Sequence, residues 1–268
     1  MEKIAIVVVI TVAVAAIVYL FGRARPTTQR LQRTAVAAVA AAIAGGGTVY
    51  GLERLTGNDA QLVDQAVTEA RALPLVGLVL DDVPDAETRL RQALSEEMRN
   101  PTTQGPPRPL TLMAELRASH IVPALRATDA ADAEAVLAAR LALMRHLKSV
   151  DVATCRELAL IGIQRGEKLD DMAQKLMREM LAAMEKAYRA GRAALKAGGA
   201  PPQTPSDAQA AVLLGEAGMT PADFDKLRTL ARLSPGDACD IGIKLNETPA
   251  KLPADKAGPL ARYLAAAQ

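Results

Sequence analysis

Two closely spaced apolar runs at the start of the chain constrain it more than anything that follows. Residues 4–21 carry no charge and are almost wholly Ile, Val, Ala and Leu. At ~1.5 Å per residue a helix of this length covers roughly 27 Å, close to the thickness of a bilayer's hydrocarbon core. Tyr19 and Phe21 close the run, where aromatic rings suit the interface. A cleaved secretory signal is the main rival. However, Glu2 and Lys3 make a weak basic end, and Gly22-Arg23-Ala24 offers no small-x-small cleavage site. Four arginines follow (Arg23, Arg25, Arg30 and Arg33), and then a second run over 34–52, rich in Ala and Gly. Residues 1–52 are therefore expected to form a membrane anchor, as a single helix or a hairpin.

The second run is the weaker of the two, because Gly45, Gly46 and Gly47 each loosen a helix by about 1 kcal/mol relative to alanine. In its favour, Ala37, Ala41 and Gly45 form one small-xxx-small ladder and Ala38, Ala42 and Gly46 another, which lets two membrane helices approach closely. The alternative is a soluble alanine-rich helix. Positive charge in a short segment holds it in the cytoplasm. With two spans, the N-terminus and the body from Glu53 onward lie outside, in a bacterial periplasm; with one span, the body is cytoplasmic.

Residues 53–268 remain, enough for one core or two small domains. Half the residues are apolar but only 2% are aromatic, with no Trp. A core of Leu, Ala, Val and Met suits closely packed helices better than strands. We therefore expect an all-α multi-helix bundle, with a helical body over 53–197, a Gly/Pro linker over 198–205 and a region of short helices over 206–268. A net charge of +2 is too balanced to imply nucleic acid.

Helical spacing runs over 58–73 and is ended by Pro74. The short apolar run 75–80 reads as a buried turn or one strand. Asp81-Asp82-Val83-Pro84 supplies caps for a helix to about Arg99, and 100–109, with four prolines and a glycine, is irregular and a candidate hinge. Residues 110–127 read as helical with a break near Pro123. Helices follow over 129–147, 151–163 and 169–196. Thr220-Pro221-Ala222-Asp223 and Ser234-Pro235-Gly236-Asp237 are capping-box starts, and Pro249, Pro253 and Pro259 punctuate the tail before a last turn or two.

Chemistry is hard to find in this sequence. No phosphate loop, nucleophile elbow, zincin or dinucleotide motif is present. His120, His146, Cys155 and Cys239 are zinc-type ligands without finger spacing, and Cys155 with His146 would make a nucleophile and base only if the fold joined them. The carboxylate pairs Asp81-Asp82 and Asp170-Asp171 read as helix-start anions, and Glu96-Glu97 point to two faces of a helix. No catalytic, cofactor-binding or metal residues are assigned, and no cofactor is expected. Cys155 and Cys239 either bond to each other or stay buried as free thiols. A bond would close a loop of about 85 residues and add ~4 kcal/mol in the chain-entropy model. Both cysteines follow a polar helix start and lie near an Ile-Gly-Ile triplet, which suggests similar helix-entry environments.

The long helix 169–196 is two-faced. Leu169, Met172, Leu176, Met180, Met184, Ala187 and Gly191 fall on one side, and Lys175, Arg178, Lys186, Arg189, Arg192 and Lys196 on the other. The basic side is either an ordinary solvated face or a docking stripe for an acidic partner, lipid headgroups or an envelope polymer. Met172, Met177, Met180 and Met184 are adaptable contacts or core filler.

With Asp151 and Cys155, then Cys239 and the tail from Leu260 to Leu264, the layout resembles uncharacterised membrane-anchored helical proteins of Gram-negative bacteria, a likeness that implies no activity. The expectation is an inner-membrane interaction or scaffold protein, not an enzyme, with a protein partner or self-association. Its rivals are a cell-envelope enzyme with an unfamiliar site and a self-assembling, membrane-remodelling protein.

Overall fold

The computed structural model describes residues 59–160, 169–198 and 202–267. Among these residues every regular element is helical, and the helices pack as one bundle. The anchor expected in residues 1–52 lies outside them. Within them, no helix is long and apolar enough to cross a membrane.

The chain first makes a three-helix corner: α1 (Asp59–Ala72), α2 (Pro74–Asp82) and α3 (Ala86–Arg99). The apolar face of α1 (Leu62, Val63, Ala66, Val67 and Ala70) is buried. The run 75–80 is neither a turn nor a strand. Pro74 takes the first turn of α2, where its missing N–H costs nothing, and Val76, Val79 and Leu80 are buried. Gly77 permits the tight entry, since a Cβ there would overlap the carbonyl oxygen of Arg71. Contrary to the expectation from sequence, Asp81 and Asp82 do not cap the next helix but end α2. The cap of α3 is Asp85, held at φ 63° with no side-chain cap bond. The freed carboxylates form ion pairs, Asp81 with Arg71 at 2.6 Å and Asp82 with Arg192 at 3.4 Å.

The proline-rich segment after α3 is fastened by one carboxylate. Glu97 accepts from the Thr102 amide (2.6 Å), the Thr102 hydroxyl (2.7 Å), the Arg108 amide (3.0 Å) and the Arg108 guanidinium (3.2 Å). Burial opposes its ionisation, but these bonds outweigh it and hold the carboxyl below the usual glutamate range. The helix that follows is interrupted where Pro123 predicts. α4 (Arg108–Leu116) passes through a π turn (Arg117–Ile121) into α5 (Val122–Ala127). Proline lacks the N–H for the normal ladder and its ring crowds the preceding turn, which the wider turn accommodates.

α6 (Ala130–Val150) is the axis of the bundle. Asp129 caps it, accepting from the Asp132 amide at 2.7 Å. α7 (Val152–Leu160), α8 (Asp171–Lys196), α11 (Pro235–Glu247) and α12 (Ala254–Ala267) all pack against it. Val136, Leu143, Met144 and Leu147 are buried. α8 also lies on α2 and α5. At Gly191 a Cβ would overlap the Ala124 carbonyl, so only glycine allows α8 so close to α5.

α9 (Asp207–Glu216) and α10 (Pro221–Arg228) complete the C-terminal quarter with α11 and α12. The expected starts at Thr220 and Ser234 are caps, each accepting from the amide three residues on, and a third, Ser206 with Gln209, opens α9. The caps are cross-linked. Lys244 of α11 reaches Asp223 of α10 at 2.5 Å, and Lys226 of α10 reaches Asp237 of α11 at 2.8 Å. Pro259 does not precede the last helix; it lies inside α12, which starts at Ala254. The core runs unbroken across the 198–205 linker, since Ile241, Leu260 and Leu264 share it with Val136 and Leu143.

Candidate interaction surface

The apolar side of α8 is mostly in the core. Leu169, Met180, Met184, Ala187 and Gly191 are buried, and Leu176 and Met177 are half-buried against them. Met172, in the first turn of α8, is instead 49% exposed. The methionines thus serve largely as core filler.

The basic side is laced with acids. Lys175 lies 3.9 Å from Glu179 and Arg189 2.9 Å from Glu185, both one turn away. Lys186 reaches Asp132 of α6 at 2.7 Å, while Arg192 and Lys196 converge on Asp82 of α2, at 3.4 and 3.7 Å. Three of the six cations therefore tie α8 to its neighbours. Arg178 is exposed. Lys175, Lys186, Arg189 and Lys196 keep well over half of their side-chain surface in solvent despite these pairs. Beneath them, Tyr188 is fully buried; burial first, and then the Asp82 carboxylate, push its phenol up to about 12.

Cys155 and Cys239 are joined in a disulfide between α7 and α11, with their α-carbons 5.4 Å apart. Both are fully buried. Each sits just inside a capped helix start. Asp151 accepts from the amides of Ala153 (3.1 Å) and Thr154 (3.2 Å) before Cys155, and Ser234 caps the helix of Cys239. The bond removes Cys155 as a nucleophile. His146 turns elsewhere, its Nε2 lying 2.9 and 3.0 Å from the two oxygens of Asp170. Asp170 is also the N-cap of α8, accepting from the Ala173 amide at 2.7 Å, and that bond first, then His146, lower its pKa. His120 lies apart, in the π turn, and its pKa is lowered by burial and by Arg192 and Arg89. Among the described residues, no three His, Cys, Asp or Glu side chains converge as a metal site.

One recurrent device has no signal in the sequence. Among the described residues five arginines reach backbone carbonyls: Arg108 to Asn100 (2.7 Å), Arg117 to Ala266 (3.2 Å), Arg140 to Leu158 (2.6 Å) and Arg156 to Ala231 (3.0 Å), at or near the ends of elements, and Arg262 to Gln203 (3.2 Å), in the loop before α9. The last carbonyls of a helix lack intrahelical partners and carry its negative end, which suits a guanidinium. Burial pushes Arg117 and Arg140 down to about 10, and for Arg140 the charge of Arg117 adds to the effect. Such residues read in sequence as ordinary surface arginines on helices.

No protein-family model matches the chain, and neither a curated protein nor a solved structure is significantly similar to it.

Proposed function

We propose that this is a membrane-anchored interaction or scaffold protein of the bacterial inner membrane, with its helical body on the periplasmic side. The observation that carries the reading is the Cys155–Cys239 disulfide. A structural disulfide belongs to an oxidising compartment, whereas the four arginines between the apolar runs belong in the cytoplasm. The two requirements are met together only if 34–52 crosses the membrane. Binding is favoured over catalysis because the polar groups that the fold assembles are spent on structure: Glu97 on a loop, Asp170 and His146 on a helix start, Lys226 and Lys244 on caps. The partner is an acidic protein surface meeting the outer side of α8 around Lys175, Arg178 and Arg189.

The test is a pair of fusions after Gln268, one to alkaline phosphatase and one to a fluorescent protein that matures only in the cytoplasm. Active phosphatase with a dark fluorophore is expected, together with a mobility change on reduction that vanishes in Cys155→Ser. A bright fluorophore and freely labelled thiols would refute the periplasmic placement. Photo-crosslinkers at Arg178 that capture no partner, while controls elsewhere do, would refute the α8 surface.

A further inference from the structure

The corner of the body shows which end of it lies nearest the anchor. The ion pairs Arg71–Glu87 and Arg91–Asp64 match rising numbers in α1 with falling numbers in α3, so the two helices run antiparallel. The start of α1 therefore lies beside the end of α3. Glu96 and Glu97, in the last turn of α3, hold Arg108, the first residue of α4, at 3.8 and 3.2 Å. The start of α1, the end of α3, the start of α4 and the loop 100–107 thus share one end of the body.

The sequence limits how far this end can stray. The second apolar run stops at Leu52 and α1 starts at Asp59. The six residues between them make seven Cα-to-Cα steps, which span at most about 25 Å even when fully extended. The far end of α1, at Ala72, is another ~20 Å along the helix axis.

The surface at this end has the matching chemistry. From Arg99 to Arg108 there is no Asp or Glu. Asn100, Thr103 and Gln104 are exposed amides and a hydroxyl, and Arg99 is exposed beside them. The nearest acids, Glu96 and Glu97, are turned onto Arg108 and, for Glu97, the Thr102 backbone as well. Phosphate groups and glycerol esters accept hydrogen bonds from such donors, and loop 100–107 itself carries no anion to repel them, the acids of this end being Asp59 at the start of α1 and the Arg108-paired Glu96 and Glu97.

We infer that this end faces the bilayer, with loop 100–107 resting among phospholipid headgroups; the inference rests on the reading of 34–52 as a membrane span. The full chain is placed in phosphatidylethanolamine–phosphatidylglycerol vesicles containing a lipid with a nitroxide on its headgroup. A fluorophore is attached at Thr103→Cys or, separately, at Ala72→Cys, the native cysteines being bonded and unreactive. Quenching at position 103 is expected to be severalfold stronger than at 72. Equal quenching at the two positions, or stronger quenching at 72, in a chain that floats with the vesicles overturns the orientation and leaves the anchor standing. A chain that does not float with the vesicles refutes the anchor reading, and the orientation with it.

Discussion

The corner α1–α3 and helix α10 of the C-terminal quarter are held by different means. In the corner each helix buries an aliphatic face, with Val67, Val79 and Leu90 essentially inaccessible. Its ion pairs, Arg71 with Asp81 and Glu87 and Arg91 with Asp64 and Glu87, lie at the surface. Pairs of that kind are worth at most about 1 kcal/mol and are screened by salt. In the quarter, α10 has no fully buried residue, only Phe224 and Leu227 half-buried against the core. Its place is set by polar clamps to α11, and α11 is in turn bonded covalently to α7. A helix whose apolar side chains are only half-buried leans more on directional contacts, whereas a helix with a fully buried face can leave its charges in water.

Removing the covalent link should break the comparison most sharply. The double variant Cys155→Ala/Cys239→Ala is expected to lose about 4 kcal/mol in urea unfolding, with hydrogen exchange rising first in α10 and α11. Equal loosening of α1–α3 would show that the two regions are not held separately. Next comes Gly191→Val. Its side chain would overlap the Ala124 carbonyl, and it should cost about 3 kcal/mol by forcing α8 off α5. That loss should appear in both regions, since α8 touches the shared core.

The clamps give a smaller, pH-dependent effect. Lys244 and then Thr220 hold Asp223 well below its ordinary value of 3.8. A depressed carboxylate contributes stability that is present above the ordinary value and is lost as pH falls through the folded one. Glu97, lowered from 4.5 by its loop bonds against the opposing effect of burial, has the same sign. Stability should therefore decline below pH 4.5 in two parts. Lys244→Ala should cost about 1 kcal/mol at neutral pH and flatten the part due to Asp223, while Glu97→Gln removes the other. An acid profile unchanged in both variants would refute the assignment. The smallest effect belongs to the corner: Arg71→Ala should lower the melting temperature slightly in low salt and not measurably in molar salt, as thermal melts can show.

Legibility followed the range of the forces. The Thr220 and Ser234 caps could be read from sequence because a side chain meets an amide three residues away. The break near Pro123 could be read because it follows from one missing donor. The run 75–80 was misjudged because its length suits a strand as well as a short helix, and only packing against α1 and α3 decides between them. Asp81 and Asp82 were misjudged for the same reason, since a carboxylate pair beside a proline looks like a cap until Arg71 and Arg192 are brought to it from other helices. The arginines that close distant carbonyls had no local signal at all.

By itself the sequence determined the helical class, most helix starts, the two-faced character of α8 and the apolar runs that precede the body. These depend on spacing within a few residues and on the balance of aliphatic over aromatic side chains, quantities that the chain carries before it folds. Only the tertiary structure decided that α6 is the axis, that Cys155 meets Cys239, that the basic side of α8 is partly consumed by Asp82 and Asp132, and that the core crosses the linker. Each of these joins residues far apart in sequence, and such contacts form only when many buried side chains agree on one packing.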